Sequence, residues 1–288
     1  MTDFSRFVPG DQSPLIVRTT YTAILTLLRH DGSIRSGYIA FCMMLGIFPF
    51  LVFLTHASGI FLGPKQSIEV VHTLLSFAPT YLKTALQPTI DAVLKNARVD
   101  IMSIAFVVSV WFPSKAIDGI RGGFVRAYGP ARERNWIVGR AISILCVGLG
   151  VLITLLLSLL IVLGPILSGI MSAHFDTLAP YFTSGLRNLV GFAIFVLFLW
   201  FLHRILSGKQ FGPNQHLWTG VLTAAILWVA VAIGFGLYLD HSTGYQLFYG
   251  ALAGIAISML FFYYSALTIL LSAEINAALD KHRAEIKA

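Results

Sequence analysis

The sequence predicts an all-α, polytopic integral membrane protein with six transmembrane helices plus amphipathic interfacial helices, in one domain over residues 1–288. Three observations carry this. Five stretches contain no Asp, Glu, Lys or Arg: Ser36–Pro64, Ala141–Phe175, Asn188–His203, Gln210–Leu239 and His241–Ala273. A helix needs about 20 mainly apolar residues to cross a hydrocarbon core of roughly 30 Å, and these runs supply them, the shorter one with snorkelling ends. Hydrophobic residues make up 57% of the chain and charged ones 11%, too few charges to solvate a 31.6 kDa globule. Finally, the basic residues alternate in density between one set of connections and the other.

The elements follow in chain order. Residues 14–30 place Val17, Tyr21, Ile24 and Leu28 on one helical face and Arg18, Thr22, Thr26 and Arg29 on another, the pattern of a helix lying on the inner membrane surface. The first span is expected near 37–61; it is too long and too marked by Pro and Gly for a signal-peptide core, so it is expected to be retained. Residues 64–98 hold two amphipathic pieces, one with Ile68, Val71 and Leu75 and one with Leu82, Leu86, Ile90 and Val93, parted at Pro79. These read as outer-face helices that either float at the interface or cap a cavity. The second span, near 101–120, is unusual. Its apolar run, Ile101–Ser114, is too short to cross a bilayer unless Lys115 and Asp118 enter with it. Further spans are expected near 138–163, 186–206, 217–239 and 246–273, with an outer connection over Gly164–Gly185 broken by Pro165 and Pro180. No inverted repeat is visible, unlike the common two-fold transporter plans.

An even number of spans puts both termini on one side. If that side is the cytoplasm, the inner segments carry 15 of the 20 Lys and Arg residues, and only Lys65, Lys83, Lys95, Arg98 and Arg187 fall outside. The positive-inside bias therefore places both termini in the cytoplasm of a bacterial inner membrane. The same distribution explains the formal charge of +7 without nucleic acid as a partner, because no basic helix or aromatic-interleaved stripe is present. Membrane lipids are the expected partners, and the oligomeric state is left open. Cys42 and Cys146 fall inside apolar runs as small buried hydrophobes. The histidines are dispersed without HExxH or ligand spacing, so no metal and no cofactor is expected.

Candidate functional residues centre on the second span. Asp118 has Lys115 three residues before it and Arg121 three after, so all three share one helix face near the inner leaflet. A lone charge in hydrocarbon costs about 3 kcal/mol on insertion scales, less toward the span's ends, so pairing or water access is required. One reading is a structural ion-pair group with snorkelling ends; the other is a polar site for an anionic headgroup or ion. Arg126 and Glu274 extend the group: were the second and sixth spans neighbours, Glu274 could pair with Arg121 or Arg126. Pro49 and Pro113 free the carbonyls of Leu45 and Ser109, so kinks are expected in the first two spans. Gly119 with Gly123, and Gly250 with Gly254, have the spacing that lets helix backbones approach closely. No phosphate-binding Gly-rich loop and no nucleophile elbow is present.

Four segments give the chain a wider resemblance. They are Ser36-Gly37-Tyr38-Ile39-Ala40-Phe41 leading to Phe48-Pro49; Ala116-Ile117-Asp118-Gly119-Ile120 with the stretch through Arg126-Ala127-Tyr128; Tyr238 with Leu247–Gly254; and Ala273–Leu279. With these, the chain resembles the YihY / virulence factor BrkB family of bacterial inner-membrane proteins, once labelled ribonuclease BN-like. The second segment departs from the family pattern, which has an Asn near Gly122 and a Trp or Tyr soon after. The resemblance implies six spans with cytoplasmic termini. It also brings a ribonuclease label and links to serum resistance and to export of envelope lipids. A nuclease needs an acid–base pair or a metal-bound water beside a phosphate track, and no carboxylate or histidine cluster occupies the short cytoplasmic loops. The expectation is therefore a non-enzymatic translocator or flippase-like protein for an amphiphilic anionic envelope lipid or precursor. Lys115, Asp118, Arg121, Arg126 and Glu274 would meet the headgroup. The alternative is a membrane scaffold or envelope assembly factor, and a membrane-bound ribonuclease comes third.

Overall fold

Within hydrocarbon a backbone must satisfy its own hydrogen bonds, so long uncharged runs fold as helices. The computed structural model describes residues 14–62, 102–129, 136–153, 179–207, 217–241 and 253–287. They form α1 (Leu15–Arg29), α2 (Gly32–Leu62), α3 (Met102–Tyr128), α4 (Trp136–Ile153), α5 (Ala179–Leu206), α6 (Leu217–His241) and α7 (Ala253–Lys287). The protein is thus an all-α, multi-pass membrane protein. The expected outer helices over 64–98, most of the connection over 164–185 and the first residues of the last span lie outside the described residues.

Five helices contain a stretch long and apolar enough to cross a membrane: Gly32–Phe53, Trp136–Ile153, Leu189–Leu206, Leu217–Leu239 and Gly254–Arg283. The expected number was six. The helix that does not meet the same measure is α3, because Lys115, Asp118, Arg121 and Arg126 crowd its second half. Long apolar side chains such as Leu145, Leu197, Ile226 and Ile233 stand exposed on the outside of the bundle, as a lipid-facing surface requires.

α2 and α3 run antiparallel. Arg35 lies over Gly122, Ile39 over Gly119, and the Pro113 ring fills the notch at Gly46; Phe53 meets Phe106 at 4.9 Å between ring centroids. Both helices continue through Pro49 and Pro113. The glycine pair expected to let helices approach closely does so on two sides: Gly119 faces α2, while Gly123 faces Leu270 of α7. α7 is the hub, packing against α1, α2, α3 and α6. α1 and then α2 run along successive stretches of it, with Thr22 beside His282, His30 beside Glu274, and Met44 and Leu51 clustered with Ile257 and Phe261. α1 buries Thr19, Ala23 and Leu27, so the face with Val17, Ile24 and Leu28 points away from the protein. Small side chains face α7 because they permit close approach, which leaves the apolar stripe outward.

Candidate functional site

The polar contacts between helices gather at the end of the bundle where α2, α4 and α6 begin and α3 and α5 finish. Asp118 occupies the centre of one group. Arg140, from the start of α4, donates from Nη1 to Asp118 Oδ2 at 2.9 Å, and the Ser143 hydroxyl donates to Oδ1 at 2.5 Å. Arg121 approaches the same carboxylate from its own helix at 3.8 Å. Gly139 makes room for it: a Cβ there would lie 2.8 Å from Arg121 Nη1. Trp111 supplies a platform, with the Arg140 guanidinium 4.1 Å and the Lys115 ammonium 5.4 Å from its ring centroid. Such stacking desolvates a cation at modest cost. Lys115 therefore joins the group through the indole; among the described residues no carboxylate lies within 4.0 Å of it.

This group holds one carboxylate against three cations. Arg121 Nε and both Nε and Nη2 of Arg140 are buried without a hydrogen-bond partner among the described residues. Donors of this kind normally find acceptors. Arg140 was not among the residues expected from sequence, because it lies four residues into the next helix and only the fold brings it to Asp118.

A second group forms at the turn between α1 and α2. Asp31 adopts a left-handed conformation, φ 58°, which Asp tolerates better than most residues, and so ends α1 before α2 begins. Arg126 donates to the Asp31 carboxylate at 3.1 Å and to the His30 carbonyl at 3.2 Å. His30 Nδ1 reaches Glu274 Oε1 at 2.6 Å. α3 and α7 are indeed neighbours, yet the partner of Glu274 is His30, not Arg121 or Arg126. The α1–α2 turn stands between the two helices and links Arg126 to Glu274 through one residue. The five residues expected from sequence thus divide into Lys115, Asp118 and Arg121 in the first group, and Arg126 and Glu274 in the second.

Sequence reading missed a third, fully buried group. His203 accepts or donates at Ser272 Oγ, 3.1 Å away, and its Nδ1 donates to the Leu199 carbonyl at 2.9 Å. Phe124 packs on the imidazole, with centroids 4.6 Å apart. One turn on, Asn276 bridges two helices: its Oδ1 accepts the Gly220 N–H and its Nδ2 donates to Tyr128 Oη, both at 3.3 Å. Gly220 lies in the first turn of α6, where N–H groups lack intrahelical acceptors, so Asn276 acts as a cap delivered from another helix. The available signal was the run of polar residues His203, Ser272 and Asn276 within apolar spans. Asn276→Ala removes both bonds from a buried site and is expected to cost about 2 kcal/mol, read as a lower midpoint in denaturant unfolding of the purified protein.

Described residues line cavities at two places of note. One, about 420 Å³, lies between α6 and α7 against Phe235, Tyr238 and Tyr264. The other, about 440 Å³, lies between α1, α6 and α7. Neither is lined by Asp118. No group of three or more potential metal ligands is present among the described residues.

Comparison with known proteins places this geometry in context. The model of the family described as Virulence factor BrkB matches residues 23–288. The ribonuclease-like protein YfkH of Bacillus subtilis is 25% identical over 257 residues, covering 88% of this chain and 92% of its own. A UPF0761 membrane protein of Pseudoalteromonas atlantica is 26% identical over 262 residues, with 88% and 83% covered. The YihY membrane protein of Salmonella typhimurium is 32% identical over 133 residues, 43% of this chain and 46% of its own. No solved structure matches.

Proposed function

This chain belongs to the virulence factor BrkB family, and from that premise we propose that it is an inner-membrane translocator of an amphiphilic anionic envelope lipid or precursor. α3 is the sixth span in this reading: its 27 residues, at about 1.5 Å each, exceed the hydrocarbon thickness. Both termini lie in the cytoplasm, and the polar end of the bundle is the inner one. The observation that carries the reading is the surplus of positive charge around Asp118. Lys115, Arg121 and Arg140 face one carboxylate, and guanidinium N–H groups are left without acceptors. A phosphate or carboxylate headgroup would supply both the charge and the acceptors. Arg126 and Glu274, joined through His30, would tie movement of the α1–α2 turn to the same end of α3 and α7.

The protein is taken to act without enzymatic chemistry. Asp118 and Glu274, the natural candidates for a general base at this end, are each engaged, Asp118 by the Arg140 guanidinium and Glu274 by the His30 imidazole. The ribonuclease-like name of YfkH belongs to that relative; release of RNA fragments by the purified protein, abolished by one point change, would transfer it here. A second reading, a membrane scaffold or assembly factor, is favoured by the close fit of Arg140 and Ser143 on Asp118, which is what a structural clasp between α3 and α4 needs.

Vesicles holding a fluorescent anionic phospholipid in both leaflets separate the two. With the wild-type chain the inner-leaflet label becomes accessible to a membrane-impermeant quencher, and Lys115→Gln with Arg121→Gln slows this about tenfold. Equal rates for wild type, variant and protein-free vesicles would leave only the scaffold.

A further inference from the structure

The cavity between α1, α6 and α7 lies away from the Asp118 group, and its lining has a definite chemical character. Thr19 of α1 lines it; this residue is 4% exposed, and its hydroxyl has no hydrogen-bond partner among the described residues. Thr219 and Thr223 enter from the first two turns of α6, and Arg283 from α7. The Thr223 hydroxyl donates to the Thr219 carbonyl at 2.7 Å, so its own proton is spent within the helix. Thr19 is then the buried lining hydroxyl with a proton to give. Among the described residues no carboxylate lies within 4.0 Å of the Arg283 guanidinium. The amino end of a 25-residue helix adds partial positive charge at the same place. Apart from Thr20, the remaining walls are aliphatic: Leu15, Ile16, Ile275 and Leu279.

We infer that this cavity holds one anionic phospholipid of the inner leaflet, its phosphate at Thr19, Arg283 and the start of α6 and an acyl chain against Ile275 and Leu279. Charge complementarity selects an anion, and the aliphatic walls select one that carries a chain. A volume near 440 Å³ suits a headgroup with the first part of its chain and lies within the range of small-molecule sites. A buried hydroxyl without a partner is unusual, and a bound phosphate oxygen resolves it. Helices α1 and α6 are in contact with the lipid from opposite sides, so the lipid joins the outward-facing helix α1 to the bundle. This site does not depend on the transport reading, since the Asp118 group is built from α3 and α4.

Native mass spectrometry of the full chain in detergent tests it, with phosphatidylglycerol, phosphatidylcholine and inorganic phosphate as separate probes. The expected result is a single retained phosphatidylglycerol, with phosphatidylcholine bound about tenfold less. Arg283→Gln lowers the phosphatidylglycerol adduct about tenfold and leaves phosphatidylcholine unchanged; Thr19→Val lowers it several-fold. Lys281→Gln, which removes an exposed cation two residues away on α7, leaves the adduct at its wild-type level. Thermal melting of each variant shows that the fold persists. Equal retention of the two lipids, an equal loss on Lys281→Gln, or displacement of the lipid by inorganic phosphate alone would each overturn the assignment.

Discussion

Gly46→Leu is expected to leave almost no folded protein in the membrane fraction, and Gly46→Ala is expected to lower the melting temperature of what does fold. A Cβ on Gly46 would lie 2.6 Å from Cδ and 2.7 Å from Cγ of Pro113. The obstacle cannot rotate away, since a proline ring is fixed to its backbone. Relief requires α2 and α3 to separate, and their register runs unbroken from Arg35 against Gly122 to Phe53 against Phe106. Overpacking a tight core costs about 1–3 kcal/mol for small additions, so the alanine falls in that range and the leucine beyond it. Gly37→Ala is the control: on the same helix, its Cβ would meet nothing within 4 Å. Fluorescence-detected gel filtration and thermal melting read all three. Adding Pro113→Ala to Gly46→Ala should recover most of the loss, because the two side chains then share the notch. A Gly46→Ala protein that melts with the wild type would show that α2 and α3 do not meet this way.

That the chain is a bundle of long membrane helices was legible because uncharged runs report directly on the membrane. α5 ends and α6 begins within a few residues of polar punctuation at Arg204 and His216, whereas α7 runs on through Glu274 to Lys287. The grouping of Lys115, Asp118 and Arg121 was legible too, as all three lie on one helix. What stayed hidden depends on which helices touch. Asp118 was paired by sequence with its near neighbours, whereas Arg140 holds it most closely, at 2.9 Å. Glu274 was matched with the arginines of α3, whereas its partner is a histidine 244 positions away at a turn that reads as a simple link. Periodicity finds the face of a helix but not what that face meets. α1 makes the point: its apolar stripe, the strongest pattern in the segment, faces outward, and the weaker stripe of Thr19, Ala23 and Leu27 makes the contact.

Asp118→Ala is expected to be the most damaging change in the polar end of the bundle. It removes the acceptor of Arg140 Nη1 and of Ser143, and leaves a guanidinium that already has Nε and Nη2 without partners. Breaking a buried ion pair from one side costs about 3–5 kcal/mol; Asp118 retains some solvent exposure, so about 3 kcal/mol is the expectation. Arg140→Met costs less, since Arg121 and Ser143 still serve the carboxylate and the methionine keeps contact with Trp111. In Asp118→Asn with Arg140→Met, no charge of the pair remains uncompensated, and stability should return toward wild type. The double-mutant cycle, with Asp118→Asn and Arg140→Met as its single variants, therefore yields a coupling of about 1–3 kcal/mol; a value near zero would show that Asp118 and Arg140 do not act as a pair. The same double variant decides what the pair is for. A structural clasp needs only that the helices hold together, so a stable double variant that supports normal envelope assembly would mark the protein as a scaffold. A translocation site needs the cations themselves, so the variant should fold, melt near the wild-type temperature and still fail to expose labelled anionic lipid in vesicles. That separation of stability from lipid movement is the result expected here, because the neutralised pair restores packing while removing a donor that the headgroup requires.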